Sequence, residues 1–159
     1  MSLQYIIDGY NLINHPLFKK LAANKFTEPR IALLEAIKRN KLCGSLNNRV
    51  TVVFDGYSGI SDKNIETDIR VVFSRNESAD ERIRRIVENF GNPKNLIVIS
   101  DDNEIKFFAR AVGAKAVSVE DFFGAKLNSQ VKKRVNEDLE LNFSQKHKIT
   151  EELKKLWLK

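Results

Sequence analysis

The chain has 159 residues, which at roughly 100–200 residues per domain predicts one compact domain that needs neither a disulfide nor a structural metal to fold. A single cysteine, Cys43, excludes an internal disulfide and favours a reduced, cytoplasmic setting, and no apolar run approaches the roughly 20 residues of a membrane span. The net charge of +6 favours a polyanionic partner such as a nucleic acid, although an ordinary basic cytosolic protein would carry the same sign.

Five short apolar runs, rich in β-branched residues and bounded by polar residues or glycine, predict strands that are covered on both faces. In chain order they are Leu3–Ile7, Val50–Phe54, Ile69–Phe73, Leu96–Ile99 and Ala116–Val119. Helical patterns lie between several of these runs. Strands that alternate with helices predict a parallel sheet in a layered α/β sandwich.

Three helices have recognisable starts. The first opens at residues 27–29, where an N-cap candidate precedes a proline, and it stops before Gly44. The second opens with a capping box in which Ser78 is paired with Glu81. The third is predicted from Asn103 to Val112, where a glycine follows. These starts indicate where the polar residues near each helix N-terminus should lie.

Two segments show no strong periodicity. Residues 55–68, DGYSGISDKNIETD, predict a surface loop that is long enough for a parallel crossover. From Lys126 onward the chain is mostly polar and includes the basic cluster Lys132-Lys133-Arg134. We therefore expect a domain at residues 1–125 and a basic, mostly helical extension at residues 126–159, packed on or beside it.

Aspartates follow three of the predicted strands: Asp8, Asp55, and the pair Asp101 and Asp102. Ligands of open parallel sheets bind beyond the carboxyl ends of the strands. Each residue has a simple structural explanation of its own. Asp102 could cap the following helix, Asp55 could start a turn, and Asn11 could cap a helix beginning at Leu12. The recurrence at strand ends favours a shared site instead.

Asp80 lies in the first turn of a predicted helix, yet on its apolar side. It precedes Ile83 by three positions and Val87 by seven, so at about 3.6 residues per turn it shares their stripe and points toward the sheet. An ion pair with Arg84 and the helix N-terminus, together worth about 0.3–1 kcal/mol, would explain a carboxylate here. They would not explain its inward direction.

If the acids converge, they must repel one another. Two unit charges about 4 Å apart interact by about 4 kcal/mol at an effective dielectric of about 20, which is more than a helix cap supplies. A divalent cation would relieve this repulsion. Oxygen ligands without a Cys or His box point to Mg²⁺ or Mn²⁺ rather than to zinc.

An acidic, metal-loaded site in a basic protein is typical of a phosphodiester hydrolase, because the metal activates water while basic residues hold the flanking backbone. Six basic residues are the expected backbone contacts, and a solvated helix face explains them equally well: Arg82, Arg84, Arg85, Lys132, Lys133 and Arg134.

Four segments occur in an order that resembles the NYN domain of the PIN-like nuclease superfamily, and more narrowly its bacterial YacP-like branch. They are Asp8-Gly9-Tyr10-Asn11, VVFDG at 52–56, SADERI at 78–83 and VISDD at 98–102. The similarity runs from about Leu3 to Phe123 and so covers most of the chain. No single segment is specific, but the ordered set is.

The resemblance implies a three-layer α/β sandwich whose central, mostly parallel five-stranded sheet has its first strand beside its fourth. It also implies a metal-dependent endoribonuclease that acts in RNA processing or mRNA decay. Asp8, Asp80 and Asp101 would be the catalytic metal ligands, and Asp102 would add a fourth carboxylate. Asn11 would support the site, and Asp55 would lie at its edge.

Other functions remain as alternatives. A haloacid-dehalogenase-type phosphatase needs a second acid where this chain has Tyr10, and a nucleotide-binding domain would need a glycine-rich phosphate loop that is missing. A DNA-directed nuclease of the same superfamily, or an RNA-binding module without catalysis, stays open. So does a requirement for a larger assembly such as the ribosome.

Overall fold

Five short strands form the framework of the part of the protein that the computed structural model describes, namely residues 2–22, 28–45, 47–57 and 68–124. The strands are β1 Gln4–Asp8, β2 Arg49–Phe54, β3 Arg70–Phe73, β4 Leu96–Ile99 and β5 Lys115–Val117. All neighbours pair in parallel, in the order β3-β2-β1-β4-β5. The predicted α/β class, the parallel sheet and the contact between the first and fourth strands are confirmed.

The strand order reverses at β1. From β1 the chain proceeds outward through β2 and β3 on one side, and through β4 and β5 on the other. Ile7 lies beside Val52 of β2 and Ile99 of β4, so the carboxyl ends of β1 and β4 are adjacent. A reversal of this kind leaves a crevice at the carboxyl ends of the central strands, which is where open α/β sheets bind their ligands.

The helices of the described residues include α1 Gly9–Ile13, α2 Pro16–Leu21, α3 Pro29–Arg39, α4 Ala79–Glu88 and α5 Asn103–Ala111. The interpretation of Asn11 as the cap of a helix beginning at Leu12 is wrong, because α1 starts directly after β1 and Asn11 lies inside it. A helix of only five residues is too short to show a periodic pattern, which is why the sequence did not reveal α1.

The starts of the three predicted helices depend on local hydrogen bonds. The Ser78 hydroxyl accepts the N–H of Glu81 at 3.1 Å and opens α4 as expected. Glu28, immediately before Pro29, caps α3 through its carboxylate. The Asp102 carboxylate accepts two backbone N–H groups at the start of α5. Each cap satisfies helix donors that would otherwise have no partner.

One face of the sheet packs against α4 and α5. Its core includes Ile6, Val53 and Val98 from the strands, with Ile83 and Ile105 from the two helices. Side chains of a strand alternate between the two faces, so Asp8, two residues after Ile6, points toward α4. This alternation directs the carboxylate at the end of β1 toward the helix that carries Asp80.

The opposite face of the sheet approaches α1 very closely. A Cβ atom added at Gly9 would lie 2.4 Å from the ring of Phe54, which is fully buried at the end of β2. The ring of Tyr10 meets Phe54 edge to face, with centroids 5.4 Å apart. The glycine therefore allows α1 to begin immediately after β1, and this start positions Asn11.

The end of the sheet differs slightly from the prediction. β5 stops at Val117, because Val119 begins a helical stretch at residues 119–124 that buries Phe122 and Phe123. The chain divides into two compact units, Met1–Gly124 and Ala125–Lys159. The predicted extension at residues 126–159 and most of the predicted loop at residues 55–68 lie outside the described residues. Among the helices that are described, none combines the length and hydrophobicity needed to span a bilayer.

Candidate active site

Asp8 is a buried carboxylate at the end of the central strand, with 3% of its surface exposed. Its Oδ2 accepts hydrogen bonds from the Asn11 amide at 2.8 Å and from the Ser100 hydroxyl at 3.5 Å. Burial raises the pKa of Asp8 to about 6, with a further contribution from the negative charge of Asp102, while the hydrogen bonds from Asn11 and Ser100 act in the opposite direction. The folded protein therefore holds a carboxylate where its charge is unfavourable.

Asn11 joins the ends of β1 and β4. Its Nδ2 donates to Asp8, and its Oδ1 accepts the backbone N–H of Asp101 at 2.9 Å. An asparagine side chain can make both bonds because it carries a donor and an acceptor, whereas an aspartate offers acceptors alone. The amide that the sequence nominated as a supporting residue thus fixes the direction of the Asp8 carboxylate.

Asp80 and Asp102 face each other across the start of α4 and the start of α5. Burial, a hydrogen bond with Asp102 and the charges of Asp102 and Asp8 together raise the pKa of Asp80 to about 6. The same hydrogen bond lowers the pKa of Asp102, as do the backbone N–H groups of Glu104 and Ile105. Between the two, Asp80 is therefore the carboxyl whose charged form is disfavoured.

Asp8, Asp80 and Asp102 thus form a set of mutually interacting carboxylates, which we call the acidic cluster. The inward direction predicted for Asp80 agrees with this arrangement. The alternative explanation of Asp80 was an ion pair with Arg84. The Arg84 guanidinium instead donates to Glu104 at 2.9 Å. Arg84 still exerts a weaker electrostatic effect on Asp80.

Asp101 has a different environment. It is exposed, and its Oδ1 accepts the backbone N–H of Val119 at 2.9 Å, where the helical stretch at residues 119–124 begins. The sequence treats Asp101 and Asp102 as neighbours in one motif, whereas the structure directs Asp102 toward the acidic cluster and the bonded oxygen of Asp101 toward Val119.

Ser100 is a site residue that the sequence reasoning missed. It is fully buried, and its hydroxyl contacts Asp8 and accepts the N–H of Asp102 at 3.1 Å. A polar residue at the end of a buried strand, two positions before Asp102, was the signal available in the sequence. Ser100 therefore connects Asp8 to Asp102, and its bond with the Asp102 N–H stabilises the turn at residues 100–102.

Asp55 belongs to a neighbouring network. Its Oδ1 accepts the Ser74 hydroxyl at 3.0 Å, and that hydroxyl accepts the N–H of Gly56 at 3.0 Å. These bonds connect the ends of β2 and β3, one strand away from β1. Asp55 therefore lies at the same carboxyl edge of the sheet as Asp8, with its bonded oxygen directed to β3.

The three arginines of α4 nominated as RNA contacts each have an acidic partner. Arg82 lies 3.7 Å from Glu77, Arg85 also pairs with Glu77, and Arg84 pairs with Glu104. These pairs position the guanidinium groups along α4 and next to α5. The other three nominated residues, Lys132, Lys133 and Arg134, lie outside the described residues.

The acidic cluster has the donor chemistry of a site for a hard divalent cation: several carboxylate oxygens in mutual repulsion, without thiolate or imidazole. In the described part of the chain, no three His, Cys, Asp or Glu side chains already form a ligand set for one ion. The cluster is therefore a group of facing carboxylates rather than a finished metal cage. The negative charges of Asp8 and Asp102 raise the pKa of Asp80, as expected for carboxylates that repel one another.

A family model and two solved structures match this chain, and all three concern YacP-like proteins. A family model described as the YacP-like NYN domain matches residues 5–159. The crystal structure of Rae1 (YacP) from Bacillus subtilis is 28% identical, covers 99% of this chain and 92% of its own, and has a TM-score of 0.58. The structure of a single-site mutant of the same protein covers 88% and 85% at the same identity and TM-score. No curated relative matches.

Proposed function

Because this chain belongs to the YacP-like NYN domain family, we propose that it is a divalent-metal-dependent endoribonuclease in RNA processing or mRNA decay. Membership of the PIN-like nuclease superfamily supports hydrolysis of a nucleic acid. The net charge of +6 supports a polyanionic substrate. The choice of a divalent metal follows from the carboxylate chemistry of the acidic cluster.

One observation carries the proposal: Asp8, Asp80 and Asp102 meet at the reversal point of the sheet, and they perturb one another's pKa values. Perturbed carboxylates in a crevice are typical of functional sites. Stability alone would not favour this arrangement, since burial of Asp8 opposes its charge. A cation bound to the three carboxylates would neutralise their charge and offset this cost.

We infer that the acidic cluster holds Mg²⁺ or Mn²⁺. When bound, such a cation lowers the pKa of a coordinated water and neutralises the phosphate that is attacked. Asp8, Asp80 and Asp102 would supply the carboxylate oxygens. Asn11 keeps the Asp8 carboxylate oriented, and Ser100 joins Asp8 to the backbone of Asp102. Exclusion of water around buried Asp8 strengthens its attraction for a cation.

Cleavage of a pool of labelled RNA with Mg²⁺ or Mn²⁺, with the cut ends mapped, tests the activity. We expect internal cuts that disappear with EDTA, and loss of cleavage in Asp8→Asn and Asp80→Asn. Glu81→Gln is a matched control, because Glu81 is exposed in the same helical turn as Asp80. Single-stranded DNA of the same sequence forms the second arm, and faster cutting of DNA would overturn the RNA preference.

A second pair of variants separates the two adjacent aspartates. Asp102→Asn retains a good helix cap and Asp101→Asn retains an acceptor for Val119, so both proteins should fold. We expect Asp102→Asn to reduce Mn²⁺ affinity and cleavage about as strongly as Asp8→Asn, and Asp101→Asn to reduce them much less. The reverse ranking would make Asp101 the third ligand, as the family resemblance implies. Calorimetric Mn²⁺ titration and initial cleavage rates give the two readouts.

A further inference from the structure

Phe107 presents a large apolar ring to solvent. It is 76% exposed, the most exposed large hydrophobic side chain among the described residues. A single exposed apolar residue needs no explanation by itself. Phe107, however, lines an open concavity of about 630 Å³ together with Arg84, Asn103, Glu104 and Phe108.

Two residues that line the concavity, Asn103 and Glu104, directly follow Asp102 of the acidic cluster in the chain. Glu104, Phe107 and Phe108 share one face of α5, because they are spaced by three and four residues. The same helix is capped by Asp102. Arg84, one turn beyond Asp80 on α4, crosses from α4 to Glu104 and interacts electrostatically with two acids of the cluster. Arg84 therefore connects the two features, because it interacts with the acidic cluster and lines the same concavity as Phe107.

Arg84 has donor capacity left for a ligand. One of its Nη atoms donates to Glu104, and the side chain keeps 40% of its surface exposed, whereas its Nε is buried. An exposed guanidinium and an exposed aromatic ring that line one concavity match the two chemical parts of a nucleotide, a phosphate oxygen and a base. Glu104 keeps the guanidinium in place without using all its donors.

We propose that Phe107 is the stacking platform for an unpaired base of the RNA strand next to the phosphate at the acidic cluster, with Arg84 contacting the phosphate of that nucleotide. The inference rests on the proposed function and adds to it the substrate class, a strand that is unpaired at this nucleotide. A base within a duplex has both faces covered by its neighbours, so it cannot stack on a protein ring.

Binding is measured with full-length Asp8→Asn protein, so that the RNA stays intact, and with a short RNA that carries 2-aminopurine. We expect quenching on binding, and Phe107→Ala added to this background to weaken affinity by about 5- to 150-fold, the usual effect of removing one base–aromatic stack. Phe107→Trp should retain affinity, whereas Phe107→Leu should stay weak because it lacks a π face. All of these variants should unfold at the same temperature, since the ring is exposed.

An RNA with one abasic nucleotide at the same position is the matched substrate. If the ring stacks on a base, the Phe107→Ala effect should disappear on this RNA. An equal loss on both RNAs, or no loss on either, overturns the inference. If the wild-type protein cuts RNA but Phe107→Ala leaves RNA affinity unchanged, this inference is overturned and the proposed function is not. Base-dependent binding without any cleavage by wild-type protein overturns the proposed function alone.

Discussion

At the scale of single residues, Asp8 couples charge to stability. Its pKa is about 6 in the folded protein and 3.8 in its unperturbed state. A raised carboxyl pKa means that the folded state favours the protonated form, so stability is fully present below about pH 4 and is partly lost as the pH rises through 6. The loss has its origin in the burial of the carboxylate.

The Asp8→Asn substitution should remove this pH dependence. In EDTA at pH 7, the variant should exceed wild type in free energy of unfolding by on the order of 1–3 kcal/mol, because the amide retains the bond from Asn11 without the buried charge. The difference should shrink below pH 6 and vanish near pH 4. Urea unfolding at pH 4–8 measures it. Glu81→Gln, which removes an exposed charge, should not give this gain in stability at pH 7, and the absence of the gain in Asp8→Asn would contradict the prediction.

Among the site residues, the direction of Asp80 could be predicted from the sequence, but the environments of Asp101 and Asp102 could not. Helical spacing alone predicted that Asp80 points inward, because periodicity determines which side of a helix faces the sheet. The different environments of Asp101 and Asp102 could not be predicted, since both follow the end of a strand, where no period applies. Their difference depends on long-range partners such as the N–H of Val119, which lies 18 residues away in the chain.

At the scale of secondary-structure elements, α1 depends on one close contact. Gly9 lets the helix begin against the Phe54 ring, and this start brings Asn11 to Asp8. The strands were predictable because each is a short apolar run, but α1 was not. Its position follows from the space beside a side chain about 45 residues later in the chain, and local patterns contain no such information.

Gly9→Ala should therefore destabilise the protein, although alanine is intrinsically the better helix former. Overpacking of a core typically costs about 1–3 kcal/mol, against a gain of up to about 1 kcal/mol in helix propensity. Displacement of α1 should also weaken the contact between Asn11 and Asp8, so RNA cleavage should fall. Thermal unfolding and initial rates measure the two effects.

Gly91→Ala is the matched control, because a Cβ there meets nothing within 4 Å. Adding Phe54→Leu to Gly9→Ala should restore part of the stability by making room for the new methyl group. Gly9→Ala protein that is as stable and active as Gly91→Ala would show that the ring moves away without cost.

At the scale of the whole molecule, charge is distributed unevenly. The chain has 27 Lys and Arg against 21 Asp and Glu, yet the acidic cluster lies at the carboxyl edge of the central strands. We expect basic side chains outside this edge to hold the RNA backbone on either side of the site. The overall α/β class and sheet order were accessible from the sequence, whereas the route of the RNA across the surface is not.

RNA affinity should fall with salt, with a slope of log affinity against log salt of about −0.7 for each phosphate contact to a single strand. Reversal of Lys132, Lys133 and Arg134 to Glu in Asp8→Asn protein should reduce this slope by about 2 if all three contact phosphates. Fluorescence anisotropy at several salt concentrations provides the measurement. An unchanged slope and affinity would exclude this basic cluster from the RNA-binding surface.

The matched control reverses Lys94 and Lys115. Both are exposed, and they lie at the amino ends of β4 and β5, opposite the acidic cluster. Their reversal should change RNA affinity through net charge alone, with little effect on the salt slope. An equal reduction of the slope in both proteins would indicate binding by general charge rather than by a defined path.

The contact between Gly9 and Phe54 also has an evolutionary consequence. Two positions that share one small volume cannot vary independently, so substitutions at them should be correlated among related sequences. Relatives with alanine or serine at the position of Gly9 should have a smaller residue at the position of Phe54, and those that keep the aromatic ring should keep the glycine. An alignment of the family can test this covariation without any experiment on the protein.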